Sequence, residues 1–220
     1  SDCDFWATDI VGVENITRFL LHAHRFPEPI EVELGIPGNY NVENAMAALI
    51  AASQAGLDIQ EPVPLFRDFR GVQRRYEICY KSDDIVYIDD YAHHPDELKS
   101  IISATRKRYP DRRLTGIFQP HLYTRTRDFA LDFAFALSDL HTLLLLPIYS
   151  AREEPIEGVS SEMLLSLVPN HVEKVLIQPD ELLQALDVLP IDILLTLGAG
   201  DIGMMTKSIV EVLKKKSARR

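Results

Sequence analysis

The sequence predicts an α/β protein built on a doubly wound, mostly parallel sheet. First, segments typical of strands and of helices alternate from about residue 76 to the end of the chain. Second, the inner strand candidates, such as 114–118 and 191–197, are continuous apolar runs, which is typical of strands that helices cover on both faces. Third, a 220-residue chain with 46% hydrophobic and 25% charged residues has an ordinary globular composition and can bury a core without disulfides.

Charge and cysteine content exclude several classes of protein. A formal net charge of -10 argues against a nucleic-acid-binding protein, which needs a basic face. Only two cysteines are present, so a secreted disulfide scaffold is excluded and a cytoplasmic location is expected. No apolar run approaches the ~18 residues of a membrane span, the candidate 142–146 has the length of a strand, and no membrane span is predicted.

The first part of the chain differs from the rest. The alanine-rich segment 41–55 has apolar residues at helical spacing and is followed by Gly56, which predicts a buried helix that ends at a glycine. Pro62 and Pro64 then predict an extended connection. Residues 1–69 contain 11 acidic and 3 basic residues, whereas the remainder contains 22 and 20, and we place a domain boundary near residue 68.

The elements beyond this boundary follow in order. Strands at 76–80 and 85–89 are predicted to form a hairpin across 81–84. Pro95 stands where the first residue of a helix is expected, and that helix is predicted to run to about residue 109. The remaining predicted elements are strand 114–118, helix 127–139, strand 142–146, helix 160–168, strand 174–178, helix 179–188, strand 191–197 and helix 201–216.

The loops that follow the strands are the candidate functional loops, because ligands bind at the carboxyl ends of the strands in such sheets. The loop 89–95, Asp-Asp-Tyr-Ala-His-His-Pro, places two carboxylates, a phenol and two imidazoles directly before a helix. Asp90 or His94 could simply cap that helix, but loops seldom collect so many titratable groups. Asp and His are also ligands of zinc or manganese, although adjacent histidines point apart and no HxH or HExxH spacing is present.

The loop 119–127 carries hydrogen-bond donors and cations at the same predicted edge of the sheet. An arginine there suits a planar carboxylate or phosphate, which it binds through two parallel N–H bonds. Arg125 is the candidate for this role, whereas Arg127 is expected to begin the next helix. Residues 198–203 have the spacing GxGxxG, but the chain continues through one helix only, so they predict a tight strand-to-helix turn rather than a dinucleotide site.

A resemblance to a known family rests on five segments in order: GNYNVENAMAAL, FRGVQRRYE, DDYAHHP, FQPHLYTRTRDF and GAGDI. The chain resembles the Mur ligases of peptidoglycan synthesis over nearly its whole length. The resemblance implies three domains, namely one for the UDP-sugar, a central one with the ATP phosphate loop and a C-terminal Rossmann-like one. It further implies that ATP phosphorylates the lactyl carboxylate of UDP-N-acetylmuramate, that L-alanine attacks the acyl phosphate, and that magnesium assists.

The resemblance assigns residues 1–68 to the end of the central ATP-binding domain and residues 69–220 to the C-terminal ligase domain. The chain contains no GxxxxGKS/T phosphate loop, so this loop, the magnesium ligands and the uridine site are expected in preceding domains. We therefore expect the chain to be inactive without the missing N-terminal and central domains. Closure between the domains would exclude water from the acyl phosphate, and 62–68 is the hinge candidate.

The resemblance also implies roles for single residues. Asn41 and Asn44 match asparagines that approach the adenine, while Tyr40 replaces a histidine of that motif. Arg75 and Asp90 match positions that contact the phosphate and ribose parts of the nucleotide. The residues that match the surroundings of the amino-acid site are Tyr91, His93, His121 and Arg125, of which His121 and Arg125 are the catalytic candidates.

Leu122 departs from the family pattern, and three alternative functions stay open. Many relatives have arginine where this chain has Leu122. If that arginine helps to bind the amino-acid carboxylate, Arg125 must supply more of this binding here, or another cation must replace it. A sister ligase that recycles murein tripeptide shares a loop like DDYAHHP. A non-catalytic ligand-sensing domain would bind a nucleotide or an amino acid without turnover. A metal-dependent phosphoesterase would use as ligands Asp89, Asp90, His93 and His121.

Overall fold

The computed structural model describes residues 3–13, 16–24, 26–36 and 39–219. It divides into two compact units, Ser1–Val72 and Gln73–Arg220, whereas the sequence predicts a boundary near residue 68. Each unit has its own buried core. No helix among the described residues is long and apolar enough to cross a membrane.

The first unit is a three-stranded antiparallel sheet with two helices. Its strands are β1 (Phe5–Val13), β2 (Ile16–Ala23) and β3 (Ile30–Leu34), in the order β1-β2-β3. Its helices are α1 (Asn39–Gln54) and α2 (Val63–Asp68). Buried residues alternate along β2, as expected for a sheet with one face on a core. The core joins the sheet to α1 and contains Phe19, Leu21, Val32, Leu34, Val42, Ala45 and Leu49.

Segment 62–68 is helical rather than extended, which corrects the prediction made from its prolines. Helix α2 has Pro62 as its N-cap and Pro64 in its first turn. Proline is tolerated there because the first N–H groups of a helix have no acceptor within the helix. The helix is tied to the end of β3, since the Gly35 N–H donates to the Phe66 carbonyl at 2.9 Å. The prediction of a hinge at 62–68 stays a prediction.

The second unit is built on a six-stranded sheet with the order β4-β5-β9-β6-β7-β8. The first pair, β4 (Glu77–Lys81) and β5 (Val86–Asp90), is an antiparallel hairpin. All other neighbours are parallel, so the mostly parallel sheet is confirmed. The remaining strands are β6 (Leu114–Phe118), β7 (Thr142–Leu145), β8 (Glu173–Leu176) and β9 (Ile193–Leu197).

Helices cover both faces of this sheet, which confirms the doubly wound architecture. They are α3 (Pro95–Arg108), α4 (Tyr123–Asp128), α5 (Ala130–Leu137), α6 (Ser161–Leu167), α7 (Leu182–Val188) and α8 (Thr206–Ser217), with a 3-10 helix at Asp201–Met205. Successive strand residues point to opposite faces and join separate buried clusters. One cluster contains Ile88, Leu143 and Leu195 with Leu98, Phe133 and Leu164 of α3, α5 and α6, and the other contains Tyr87, Leu144 and Leu194 with Leu186 and Ile209 of α7 and α8.

The helix predicted over 127–139 is two shorter helices, and the first begins earlier. Helix α4 starts at Tyr123 and ends before Phe129, where the backbone leaves helical geometry. The early start is supported from outside the segment, because the Glu153 carboxylate accepts from the Thr124 N–H at 3.0 Å and from its hydroxyl at 2.5 Å. This acceptor lies in the loop after β7, so the local sequence does not reveal it.

Candidate functional site

Three adjacent strands end side by side at one edge of the large sheet. Asp90 at the end of β5 pairs with Leu197 of β9, which pairs in turn with Phe118 of β6. The acidic loop after β5 and the cationic loop after β6 therefore begin at the same edge, on either side of the turn at Gly198. This is the arrangement that the sequence predicts for the two candidate loops.

Asp90 organises the loop after β5. One carboxylate oxygen accepts from the Tyr76 N–H at 2.7 Å and the other from the Ala92 N–H at 2.8 Å. Burial raises the pKa of Asp90, and the two backbone hydrogen bonds and the charge of Arg75 oppose that rise. The carboxylate thus joins the start of the hairpin to the loop.

Tyr91 lies next in the same loop, close to two arginines. The guanidinium carbon of Arg74 is 5.1 Å and that of Arg75 is 5.8 Å from the centre of the Tyr91 ring. Arg75 is exposed to solvent, and Tyr91 is 36% exposed. A cation over an aromatic face is attracted by the ring quadrupole, so both arginines favour this ring position.

The histidines of this loop are held by Glu97 at the start of α3. The Glu97 carboxylate accepts from the His93 N–H at 2.9 Å and from the His94 N–H at 3.1 Å, and His94 is the N-cap of the helix. Burial opposes ionisation of Glu97, but these backbone hydrogen bonds and the charge of His93 outweigh it and lower the pKa. His93 Nδ1 also lies 2.9 Å from the Tyr91 carbonyl oxygen, which fixes the orientation of the ring.

The loop after β6 brings His121 to the same place. The His121 ring centre is 6.2 Å from that of His93, and Arg125 Nη1 lies 3.5 Å from His121 Nδ1. The pKa of His121 is lowered by burial first, and then by the charges of Arg125 and His93. Because a guanidinium has no acceptor, a hydrogen bond between them requires the neutral His121 tautomer with its lone pair at Nδ1 and its N–H on the second nitrogen.

Tyr149 completes the site and was not predicted from the sequence. Its ring stacks on His121 with centres 5.7 Å apart and an interplanar angle of 21°. Its backbone also joins the loops, since its N–H donates to the Pro120 carbonyl at 2.8 Å and its carbonyl accepts from the Leu122 N–H at 2.9 Å. The loop after β7 was a candidate by its position at the carboxyl edge, and this position is the signal that could have found the residue.

Leu122 has an unusual backbone conformation inside this loop, with φ 73° and ψ 136°. A side chain rarely adopts positive φ, and such strain persists only where surrounding contacts determine it. Those contacts are the hydrogen bond to Tyr149 and the Thr126 hydroxyl, which donates to the Leu122 carbonyl at 2.8 Å. The strain accompanies the sharp bend by which His121 and Arg125 approach each other.

The turn after β9 packs against the loop after β6. Gly198 has φ 132°, and a Cβ there would lie 2.5 Å from the Gln119 carbonyl oxygen. The buried Gln119 side chain donates to Asp201 at 2.6 Å and accepts from the Ile202 N–H at 3.0 Å. The turn at residues 198–203 is therefore a tight strand-to-helix connection beside the site, as the sequence predicts.

The carboxylates of the alternative metal site make hydrogen bonds and an ion pair within the protein. The Asp89 carboxylate accepts from the Thr196 hydroxyl at 2.5 Å and pairs with Arg74 at 3.1 Å, while both oxygens of Asp90 accept from backbone N–H groups. In the described part of the chain, no three His, Cys, Asp or Glu side chains are grouped so that they could hold a metal ion. We assign no metal ligand to these residues.

The predicted adenine contacts lie in the first unit. Asn41 and Asn44 are three positions apart on α1, where Asn41 is half-buried and Asn44 is exposed. Residues at this spacing share one side of a helix. The side chain of Tyr40, which replaces a histidine of the motif, is outside the described residues.

Comparisons with known proteins agree with this picture. A family model described as Mur ligase, glutamate ligase domain, matches residues 74–200. The UDP-N-acetylmuramate–L-alanine ligase of Cytophaga hutchinsonii is 44% identical over 208 residues, which cover 94% of this chain and 44% of that protein. The protein of the same name from Phocaeicola vulgatus is 44% identical over 185 residues, covering 84% of this chain and 40% of that protein. The chain spans less than half the length of these relatives.

Solved structures show the same fold. The UDP-N-acetylmuramate–alanine ligase of Thermotoga maritima superimposes with a TM-score of 0.73 at 24% identity, over 96% of this chain and 46% of that one. A murein peptide ligase from Psychrobacter arcticus superimposes with a TM-score of 0.68 at 20% identity, over 96% of this chain and 44% of that one.

Proposed function

The chain belongs to the Mur ligase family, and we propose that it is the C-terminal part of a UDP-N-acetylmuramate–L-alanine ligase. Residues 1–68 would complete the central ATP-binding domain, and residues 69–220 would form the C-terminal ligase domain. The identity of 44% to two ligases of this name, over most of this chain, supports the proposal. The reaction would take place in the cytoplasm and supply a peptidoglycan precursor.

The proposed reaction has two steps. ATP transfers a phosphoryl group to the lactyl carboxylate of UDP-N-acetylmuramate and leaves ADP. The amine of L-alanine then attacks the acyl carbon, an amide bond forms through a tetrahedral intermediate, and phosphate leaves. Magnesium is the expected cofactor for the phosphoryl transfer. Because the described residues do not group as a metal site, we assign its ligands to the rest of the longer protein.

The observation that carries the proposal is the convergence of two loops on His121. His93 reaches it from the loop after β5, with 6.2 Å between ring centres, and Arg125 reaches it from α4, with 3.5 Å between nitrogens. L-Alanine offers little apolar surface, so its carboxylate must supply much of the binding energy, and a guanidinium is suited to a carboxylate. Arg125 would bind this carboxylate.

His121 would act as a neutral hydrogen-bond donor at the reacting centre. Its lowered pKa favours the neutral imidazole at pH 7, and Arg125 faces its Nδ1. The second nitrogen would donate to an oxygen of L-alanine or of the transferred phosphoryl group. Tyr91 and His93 would line the amino-acid side of the site, because the His93 ring neighbours that of His121 and the Tyr91 ring in turn neighbours that of His93.

Motif residues would also supply the nucleotide contacts. Asn41 and Asn44 would approach the adenine, and the exposed Arg75 would bind the phosphates. Asp90 would contact the ribose while its two oxygens also hold the loop backbone, since each carboxylate oxygen can accept more than one hydrogen bond.

The test uses the longer protein that contains this chain. With ATP, magnesium and UDP-N-acetylmuramate, we expect phosphate release that depends on L-alanine, with formation of the UDP-N-acetylmuramoyl-alanine product measured by mass spectrometry. The 220-residue chain under the same conditions is the matched control and should give no product. Reading the upstream coding sequence provides an independent check, since the proposal requires a phosphate loop there.

Other outcomes of the same assay identify the alternatives. Turnover with murein tripeptide but not with L-alanine would indicate the recycling ligase. Hydrolysis of a phosphomonoester without ATP, dependent on added zinc or manganese, would indicate a phosphoesterase. Binding of a nucleotide or an amino acid without product, in a protein without a phosphate loop, would indicate a sensing domain. Each of these results would contradict the proposed function.

A further inference from the structure

We propose that Arg74 is a positioning residue of the ligase site: its buried ion pair with Asp89 holds the Tyr91 ring and the turn at Gly198 in place. The proposal rests on the proposed function, since it concerns the same site. It adds Arg74, which the sequence did not single out, and gives Asp89 a role other than that of a metal ligand. The predicted nucleotide contacts are the following residues, Arg75 and Asp90.

The partner of Arg74 is a fully buried carboxylate. Asp89 is 1% exposed, and Arg74 Nε lies 3.1 Å from its Oδ2. The other oxygen accepts from the Thr196 hydroxyl at 2.5 Å, and the Tyr87 hydroxyl lies 3.0 Å from the Thr196 oxygen. A buried charge is tolerated when it is paired and when its remaining lone pairs are hydrogen-bonded, and Asp89 meets both conditions.

A second nitrogen of the same guanidinium contacts the turn after β9. Arg74 Nη2 donates to the Gly198 carbonyl at 2.5 Å, so one side chain bridges β5 and the turn. The space for it is provided by Gly203, where a Cβ would overlap the guanidinium carbon of Arg74. The planar fork of arginine can serve both acceptors at once, which a single ammonium group cannot do in the same geometry.

The backbone of Arg74 holds the loop after β5. Its carbonyl accepts from the Tyr91 N–H at 2.7 Å, and its N–H donates to Glu77 at 2.8 Å. Arg74 has φ 59°, a conformation that side chains rarely adopt. With the chain turned in this way, Arg74 is directed inward to Asp89, whereas Arg75 is exposed.

These contacts give Arg74 a role that differs from that of Arg75. The charge of Arg74 is balanced by Asp89, so it acts on the site through Tyr91 and Gly198 rather than by binding an anion. Loss of the pair would displace a ring and a turn that border the proposed ligand contacts. Displacements of about 1 Å at a catalytic site can lower the rate by about 100-fold.

The experiment compares stability and activity in the longer protein. Arg74→Met leaves Asp89 buried without its partner, so we expect a lower melting temperature and a kcat/KM for L-alanine reduced by about 10–100-fold. The double variant Arg74→Met/Asp89→Asn removes both charges. We expect most of the melting temperature to return while kcat/KM stays at least about 10-fold below that of the wild type. A purely structural pair would recover both quantities together.

Arg74→Lys keeps the charge and tests the role if the methionine variant does not fold. We expect its kcat/KM to be reduced by about 10-fold or more, because one ammonium cannot bridge Asp89 and Gly198 as the fork does. Arg113→Met is the matched control, since Arg113 forms an exposed ion pair with Glu173 at the opposite edge of the sheet. It should leave kcat/KM unchanged.

Three results would overturn the positioning role while leaving the proposed function intact. These are full activity of Arg74→Lys, full recovery of activity in the double variant, and an equal loss of activity in Arg113→Met. A wild-type protein that forms no product with L-alanine would overturn both the proposed function and the role of Arg74.

Discussion

The side chains at the carboxyl edge of the six-stranded sheet differ in the groups that they contact. Asp89 and Asp90 direct their carboxylates to groups of the protein itself, namely Arg74, Thr196 and two backbone amides. His121 and Arg125 are half-buried and come together from two turns of the same segment. The acidic residues therefore hold the loops of the site in place, and the imidazole and guanidinium are the groups that we propose to contact L-alanine.

Replacement of Arg125 should weaken binding of L-alanine selectively. In Arg125→Ala, the loss of a charge-assisted bond worth about 1.5–3 kcal/mol should raise the KM for L-alanine by about 10–150-fold and leave that for ATP nearly unchanged. The measurement is steady-state kinetics of the longer protein. The matched control is Arg127→Ala, because Arg127 is exposed and pairs with Asp128 at 2.7 Å. An unchanged KM for L-alanine in Arg125→Ala would contradict the assigned role.

The protonation of His121 should respond to Arg125. The pKa of His121 is lowered by burial, Arg125 and His93, so we expect its imidazole signals to titrate below the ordinary value of about 6.5. Arg125→Ala removes a charge that repels the protonated ring and should therefore raise that pKa. The measurement is an NMR titration of the 220-residue chain, with His141 as an internal control. Titration of His121 at or above 6.5 in the wild type would contradict this reading.

At the scale of elements, the start of α3 shows how a helix positions the site. Glu97 accepts from the backbone of His93 and His94, so the same carboxylate caps the helix and orients the loop after β5. Its side chain is 41% exposed, so the electrostatic part of this contact is screened by water. The cap is nonetheless a single local feature that stabilises both the helix and the loop.

Removal of this cap should destabilise the protein in a pH-dependent way. Glu97→Ala should lower the free energy of unfolding by about 1 kcal/mol at pH 7. The pKa of Glu97 is lowered in the folded state, so its contribution is present above the unfolded value of about 4.3 and is lost as pH falls through the folded value.

Urea denaturation between pH 7 and pH 3.5 measures this effect. We expect the difference in free energy of unfolding between wild type and Glu97→Ala to become smaller toward low pH. Glu211→Ala is the control, since Glu211 is exposed on α8 and pairs with Lys214 at 2.9 Å. Its effect should stay within about 0.5 kcal/mol. A difference for Glu97→Ala that is constant or grows toward low pH would exclude a charged cap.

At the scale of the whole molecule, each unit carries a core of its own. The two clusters on the faces of the six-stranded sheet contain residues of the second unit alone. The buried core residues of the first unit all lie between Phe19 and Ile59 in the sequence. Cooperative folding of a segment requires that it buries its own apolar surface. The second unit meets this requirement in the described structure.

Residues 73–220 expressed alone should therefore fold. We expect one cooperative thermal transition by circular dichroism, because both faces of the sheet are covered within this segment. Leu195→Ala is the matched variant, and it should lower the stability by about 2–5 kcal/mol because Leu195 is fully buried. A broad, non-cooperative transition of the unsubstituted segment would show that its core needs residues outside it.

The sequence by itself determined the order and type of most elements of the second unit and the edge at which the two candidate loops meet. Apolar runs, capping residues and the position of Pro95 are local signals, and the connection rules of parallel sheets place successive loops together. The motif residues His93, His121 and Arg125 could therefore be expected to converge before any distance was known.

The tertiary structure decided which residues complete the site. The Tyr149 ring stacks on His121, the Glu153 carboxylate accepts from the Thr124 N–H in the first turn of α4, and the Thr196 hydroxyl donates to Asp89. The two residues of each pair are at least 28 positions apart along the chain. The antiparallel sheet of the first unit, helix α2 and the strained Leu122 likewise depend on contacts outside their own segments. Such pairings follow from packing in three dimensions, and local propensity carries no information about them.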